Sequence, residues 1–199
     1  GWMSLWLAKM GAKVHGYSLD VTSNKNFFII TNLKDRITSS TIADILDIES
    51  LKSALASAKP SVIIHMAAQP LVLESYKSPI KTFKTNIIGT ANLLEAASKT
   101  DTVEAVVNIT TDKCYENKEQ SEPYLEGDRL GGHDPYSSSK ACSELVSDAY
   151  RKSFLRQCGI KIATVRAGNV VGGGDYARDR LIPDFFRAIE SGNKLFIRS

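Results

Sequence analysis

No stretch of this sequence approaches the ~20 consecutive apolar residues that span a bilayer, so no membrane-crossing helix is expected. No secretory leader is expected either, because Lys9 and Lys13 follow the first apolar segment instead of preceding it. Cysteine is scarce. Cys114, Cys142 and Cys158 are odd in number and widely spaced, which argues against a disulfide framework or a zinc site and fits free thiols in a reducing cytoplasm. His15, His65 and His133 lack metal-ligand spacing, so no metal is expected. Charge of one sign is nowhere concentrated. The 25 basic and 22 acidic residues are interspersed, the net charge is +3, and no basic block is long enough for a nucleic-acid groove.

What is present reads as an ordinary globular chain. With 43% hydrophobic and 24% charged residues over 199 positions, it can bury one core, or one and a fraction. Short apolar runs alternate with segments of helical period. AKVHGYSL (12–19) reads as a strand after a short helix that Gly11 ends, and ITSSTIADI (37–45) is a weaker strand. SVIIHMAA (61–68), EAVVNIT (104–110) and IKIATVRAG (160–168) are stronger ones. Their apolar residues are successive, not alternating, which predicts strands buried on both faces of a parallel sheet. Helices are predicted over 49–59, where Leu51, Ala54, Leu55 and Ala58 share a face, over 79–99 behind Pro79, and from Asp134 to Gly159. Asp134 followed by Pro135 is a cap plus a first-turn proline. A further helix follows Ile182. Strand and helix alternation of this kind is the pattern of a doubly wound α/β sheet.

A dinucleotide-binding sheet of that type opens with a strand and a Gly-rich turn, and this chain opens inside its first helix. Its Gly-rich run, Gly172–Gly174, follows a later strand and reads as a flexible turn. Tyr136 and Lys140 are four residues apart, on one face of the helix from Asp134. A tyrosine works as a base near neutral pH only if its pKa falls from ~10 to near 7, which asks for roughly 4 kcal/mol. A desolvated ammonium alongside could supply much of that, and could also hold a ribose hydroxyl. The alternative is a solvated helical pair.

With that pair and that element order, the chain resembles the extended short-chain dehydrogenase/reductase family over nearly its whole length. HMAAQ (65–69), TNIIGT (85–90) and ADILD (43–47) resemble the family's strand-end turn, central helix and adenine-binding segment. TTDKCYEN, LGGHDPYSSSKACSEL, RAGNVVGGGD and DRLIPD together resemble its sugar-nucleotide 4,6-dehydratases. The resemblance implies a Rossmann-like fold, NAD as cofactor, CDP-glucose as nucleotide-sugar substrate, and a place in deoxysugar and cell-surface polysaccharide biosynthesis. It further implies a homo-oligomer paired through long helices, with Leu145 and Ala149 as core or interface. By the same resemblance Tyr136 would take the proton of the sugar 4-hydroxyl while NAD accepts hydride from C4. Lys140 would tune Tyr136 and bind the nicotinamide ribose, and Thr111 would bond the same sugar hydroxyl. Asp112 would be the acid at the C6 oxygen. Lys113 stands where the related dTDP-glucose enzymes carry Glu, and is read either as base at C5 or as an electrostatic stabiliser of the enolate.

Other positions carry over as cofactor contacts: Ser18 at the ribose, Asp44 and Ile45 at the adenine, Ala67 and Ala68 where the backbone approaches, Asn86 and Thr110 near the ring. Ala67 and Ala68 could equally be strand packing, and Asn86 a buried structural amide. No arginine stands beside Ser18, so NAD is expected over NADP. Gln69, Asn169, Arg180 and Leu181 would approach the substrate, with Arg180 alternatively a surface charge. Residues 1–170 are expected to form the NAD-binding domain, without its first strand and Gly-rich loop, and 171–199 the start of a substrate-binding region. The sequence is therefore expected to be a fragment of a longer enzyme that alone binds NAD poorly. A 4,6-dehydratase, another epimerase or reductase using Tyr136 and Lys140, and a non-catalytic nucleotide-sugar-binding module remain three readings. Only the first needs Asp112 and Lys113.

Overall fold

A computed structural model describes residues 1–21, 25–195 and 197. The chain divides into two compact units, Ala43–Gly168 and a second built from Gly1–Ile42 with Asn169–Ser199.

In the second unit, α1 (Trp2–Lys9) ends before Gly11, whose φ of +91° suits glycine. β1 (His15–Ser18) pairs in parallel with β2 (Ser39–Ile42), His15 opposite Ser39. α2 (Phe27–Ile30) lies between them in sequence. The glycine run is a packed element here. The Trp2 ring packs tilted against Phe27, centroids 4.4 Å apart, and its Nε1 donates to the Gly173 carbonyl at 2.9 Å. A Cβ on Gly174 would lie 2.8 Å from Phe27 Cβ and 2.9 Å from its Cα, so a side chain there would have to displace the backbone of α2.

The Ala43–Gly168 unit holds α3 (Ile48–Ala58), capped by Asp47 and burying Leu51 and Leu55 on the face the sequence pattern predicts. Its three-stranded parallel sheet has the order β3 (Val62–His65), β4 (Ala105–Thr111), β5 (Lys161–Ala167). Burial on both faces is most nearly reached in β4, which alternates half-buried and buried residues before its buried Thr110 and Thr111. β3 and β5 lie at the sheet's edges, so Val62 is 52% exposed and Val165 44% exposed. Among the described residues the Rossmann-like parallel sheet takes the form of two parallel pieces, of two and three strands.

α4 (Val72–Lys77) was not foreseen. The helix expected over 79–99 is three pieces end to end: α5 (Pro79–Phe83), a π turn at Lys84–Ile88, and α6 (Gly89–Ser98). At Gly89 a Cβ would lie 2.7 Å from Ile45 Cγ2, so a glycine is needed for this close approach. α7 (Pro135–Tyr150) runs into a second π turn, Arg151–Leu155. Leu94, Ala97, Val103, Val106, Leu155 and Ile160 form the apolar core between these helices and the sheet. α8 (Leu181–Ser191) belongs to the other unit and ends at Gly192, φ +67°.

Candidate active site

β4 enters its last turn with Thr110 and Thr111 buried, and a short 3-10 turn, Asp112–Cys114, follows. The Thr111 hydroxyl donates to Asp112 Oδ1 at 3.1 Å and accepts from the Lys113 backbone N–H at 3.4 Å. This cap turns both the Asp112 and Lys113 side chains out of the core, and both are exposed. They line a cavity of about 340 Å3 together with Tyr115, Tyr124, His133 and Ser137, among others. Its size is that of a small-ligand cleft.

Ser137 comes from the first turn of α7. The Asp134 carboxylate caps that turn, accepting from the Ser137 backbone N–H at 3.0 Å and from its hydroxyl at 2.6 Å. Gly132 lets the preceding loop lie against it, because a Cβ there would come within 2.5 Å of Ser137 Cβ. Sequence reasoning did not single out Gly132. One residue from Ser137 sits Tyr136, and one turn later Lys140, 9% and 6% exposed. The Lys140 ammonium donates to the Ile109 carbonyl at 2.9 Å, two residues before Thr111. The structure therefore brings Tyr136, Lys140, Thr110, Thr111, Asp112 and Lys113 to one end of the β4–α7 interface. Burial pushes Lys140 down to about 8, against the opposing pull of negative groups that include Glu144.

Behind this end runs a ladder of buried hydroxyls and amides. His65 Nε2 and Thr90 Oγ1 are 3.0 Å apart, Thr90 and Ser143 hydroxyls 3.0 Å. Asn108 Nδ2 donates to Ser143 at 3.0 Å and Ser147 at 2.9 Å. Ser139, Ser143 and Ser147 recur every fourth residue, so they share one stripe of α7. Burial, with the Lys140 charge adding to it, pushes His65 down to about 3, so its ring is neutral. Asn86 lies in the π turn as a buried structural amide. It is 2% exposed, and its amide accepts from Gln69 N at 2.8 Å and donates to Gln69 O at 3.1 Å and Ser139 Oγ at 2.8 Å. The Gln69 side chain is in turn held by Thr82, 2.8 Å, and the Leu71 N–H, 2.6 Å. Ala67 and Ala68 are half-buried in the turn between β3 and Gln69.

Asp44 is exposed and accepts from the Leu46 N–H at 2.9 Å, while Ile45 is buried, its carbonyl bonded by Asn92 at 3.2 Å. Ser18, Asn169, Arg180 and Leu181 belong to the other unit. There Ser18 is exposed at the end of β1, and Asn169 is exposed after β5. Arg180 is paired with Asp175 at 3.0 Å, and Leu181 is 58% exposed at the start of α8.

The sequence reading missed a buried ion pair one turn beyond Lys140. Glu144 is 5% exposed and accepts from Arg166 Nη2 at 2.6 Å, Arg166 Nε at 2.8 Å, Thr110 Oγ1 at 2.7 Å and Cys114 Sγ at 3.4 Å. Burial alone would raise the Glu144 carboxyl, but hydrogen bonds from Arg166, Thr110 and Cys114 more than offset it and hold it below the usual range. The Cys114 thiol is pushed up to about 12 by burial and by Glu144, so it serves as a donor and not as a nucleophile. The four-residue spacing from Lys140 puts Glu144 on the same face of α7, but it gives no sign of its partner Arg166.

The sequence pattern of the NAD dependent epimerase/dehydratase family matches residues 6–199. Over its full length the chain is 50% identical to a CDP-glucose 4,6-dehydratase of Salmonella typhimurium, of which it covers 56%. A dTDP-glucose 4,6-dehydratase from Streptomyces venezuelae, solved with NAD bound, superposes with a TM-score of 0.83 at 25% identity, over 98% of this chain and 60% of that one. A UDP-glucose 4-epimerase from Thermotoga maritima gives a TM-score of 0.84 at 23% identity, over 98% and 60%, a likeness of fold. The chain thus spans little more than half the length of these relatives. With the match running through both units and the Tyr136–Lys140 helix, the chain belongs to the NAD dependent epimerase/dehydratase family.

Proposed function

We propose that this chain is the cofactor-side portion of a CDP-glucose 4,6-dehydratase, with residues 1–170 forming the NAD-binding region and 171–199 beginning the substrate-binding region. The observation that carries the reading is the placement of Asp112 and Lys113 in one cavity with the first turn of α7, beside Tyr136 and Lys140. An epimerase has no use for an acid and an amine at C6 and C5. The 50% identity to a CDP-glucose enzyme supports the choice of nucleotide.

The residues present fit a dinucleotide. Lys140 is a buried ammonium that donates one hydrogen bond among the described residues, to Ile109, and an ammonium carries three N–H donors, enough to reach a ribose diol as well. Ala67 and Ala68 leave room for a close backbone approach. When bound, NAD supplies the oxidation of C4 and the matching reduction at C6. Tyr136 takes the proton of the 4-hydroxyl as that carbon is oxidised, and Lys140 favours the phenolate that does so. Thr111 holds the same oxygen. The 4-keto group acidifies the C5 proton. Asp112 gives a proton to the C6 oxygen, which leaves as water. Lys113, exposed on the cavity wall, is a charge that stabilises the enolate, and the C5 proton passes to water in the open cavity. Within the Ala43–Gly168 unit, Asp44, Ile45, Asn86 and Thr110 serve the cofactor and Gln69 the sugar nucleotide. We place the enzyme in the cytoplasm as a homo-oligomer, for which Leu145, 60% exposed on α7, offers an apolar surface.

The test is to incubate the full-length protein with NAD and, separately, CDP-, dTDP-, UDP- and GDP-glucose, and to read the alkaline absorbance of a 4-keto product. Product is expected with CDP-glucose first. A 4-epimer with no keto sugar would overturn the reading.

A further inference from the structure

Glu144 and Arg166 lie outside the roles assigned above, yet they tie α7 and β5 to the end of β4, to the residue after Asp112 and Lys113, and to Tyr115 of the cavity wall. Glu144 stands on α7 one turn from Lys140, and its carboxylate receives four hydrogen bonds. Through Thr110 it holds the end of β4. Through Cys114 it holds the residue that directly follows Asp112 and Lys113. Arg166, on β5, makes two parallel bonds to that carboxylate, the geometry that a guanidinium fork provides and a lysine does not. Its remaining contacts reach the 115–130 segment, which carries Tyr115 and Tyr124 of the cavity wall. Nη1 donates to the Glu126 carbonyl at 3.0 Å, and the guanidinium carbon lies 4.5 Å from the centre of the Tyr115 ring. Tyr115 stacks on Tyr124 at 4.8 Å. The segment between is closed at its base by Gly131 N–H to Cys114 O, 2.8 Å, and Glu116 N–H to Arg129 O, 2.9 Å.

We propose that Glu144 and Arg166 are positioning residues that fix the Asp112–Lys113 turn and the Tyr115–Tyr124 wall relative to the helix bearing Tyr136 and Lys140. This rests on the dehydratase reading, in which Tyr136 and Lys140 serve the oxidation and Asp112 and Lys113 the elimination. The pair therefore governs the second step more than the first. A displacement of about 1 Å in a catalytic group can cost about 100-fold in rate. In Glu144→Gln the carboxamide keeps its size but loses the charge and one of the two acceptor oxygens. The turn loosens, while Lys140 keeps its bond to Ile109.

The experiment compares the full-length protein with Glu144→Gln, Arg166→Lys and Tyr115→Leu on CDP-glucose bearing deuterium at C5. Elimination is expected to slow about 100-fold in Glu144→Gln, and the isotope effect at C5 to rise towards its intrinsic limit, because breaking that bond becomes rate-limiting. Arg166→Lys is expected to fall between it and the wild type. Tyr115 is half-buried, so its replacement threatens the fold least, and the same rise in isotope effect is expected there. Hydrogen exchange of the 110–116 amides is expected to accelerate in Glu144→Gln without faster exchange in the α6 core. A variant that merely folds less well would lose turnover with an unchanged isotope effect, and that result would overturn the positioning role. A wild type that eliminates no water from any nucleotide glucose would overturn the dehydratase reading itself.

Discussion

The two ends of β4 are similarly buried and chemically opposite. Its start is packed by Val103 and Val106 among Leu94, Ala97, Leu155 and Ile160. Its finish carries Asn108, Thr110 and Thr111 against Ser139, Ser143, Glu144 and Ser147 of α7. The apolar end is the one that stabilises the unit, since each buried aliphatic side chain contributes about 1.5–3 kcal/mol. The polar end exchanges water for internal hydrogen bonds at little net gain per bond. Its return is rigidity and charge: a neutral His65, a low-lying Lys140, a fixed Glu144. It is not perfectly satisfied, for Asn108 Oδ1 is buried with no partner among the described residues. Such costs are commonly concentrated at functional sites.

Four substitutions would break or sharpen this contrast. Tyr136→Phe removes the hydroxyl proposed to take the sugar proton, and kcat is expected to fall about 1,000-fold with a far smaller change in unfolding midpoint than the apolar end shows. Leu94→Ala acts at the apolar end and should do the reverse: a loss of about 3 kcal/mol in urea unfolding, with turnover per folded molecule preserved. His65→Gln should act only in acid. The folded state keeps His65 unprotonated down to about 3, while the unfolded chain binds a proton below about 6.5. The wild type therefore loses stability as pH falls through 6.5 towards 3. The variant is expected to be spared about 3 kcal/mol of the loss between pH 7 and pH 4.

Lys140→Met separates function from stability. With a folded pKa of about 8 against about 10.4 unfolded, the buried ammonium opposes folding below pH 8, and the penalty is relieved as pH rises from 8 to 10.4. At pH 7 the variant is expected to unfold about 2 kcal/mol later than the wild type and to lose its turnover. Equal stability at pH 7 would mean that the ammonium is better solvated than its burial implies.

Much of this end of the molecule was legible in the sequence because its signals are local. The successive apolar residues of 104–110 located β4, Asp134–Pro135 located the start of α7, and the four-residue spacing put Tyr136 and Lys140 on one face. What was not legible depends on partners distant in sequence. The π turn at Lys84–Ile88 places Asn86 between Gln69 and Ser139, a bridge across 53 residues that no periodicity reveals. Glu144 and Arg166, like Gly132, carry no local sign of what they touch. The apolar runs of β3 and β5 did not reveal which strands lie at an edge, because that depends on neighbours in the sheet.

The most direct test of the central claim, that one site first oxidises C4 and then removes the C6 oxygen, follows deuterium placed at C4 of CDP-glucose. With the full-length protein and unlabelled NAD, mass spectrometry of the product should find the label at C6 of a 4-keto-6-deoxy sugar. Label returned to C4, or lost to solvent with the C6 oxygen retained, would contradict it.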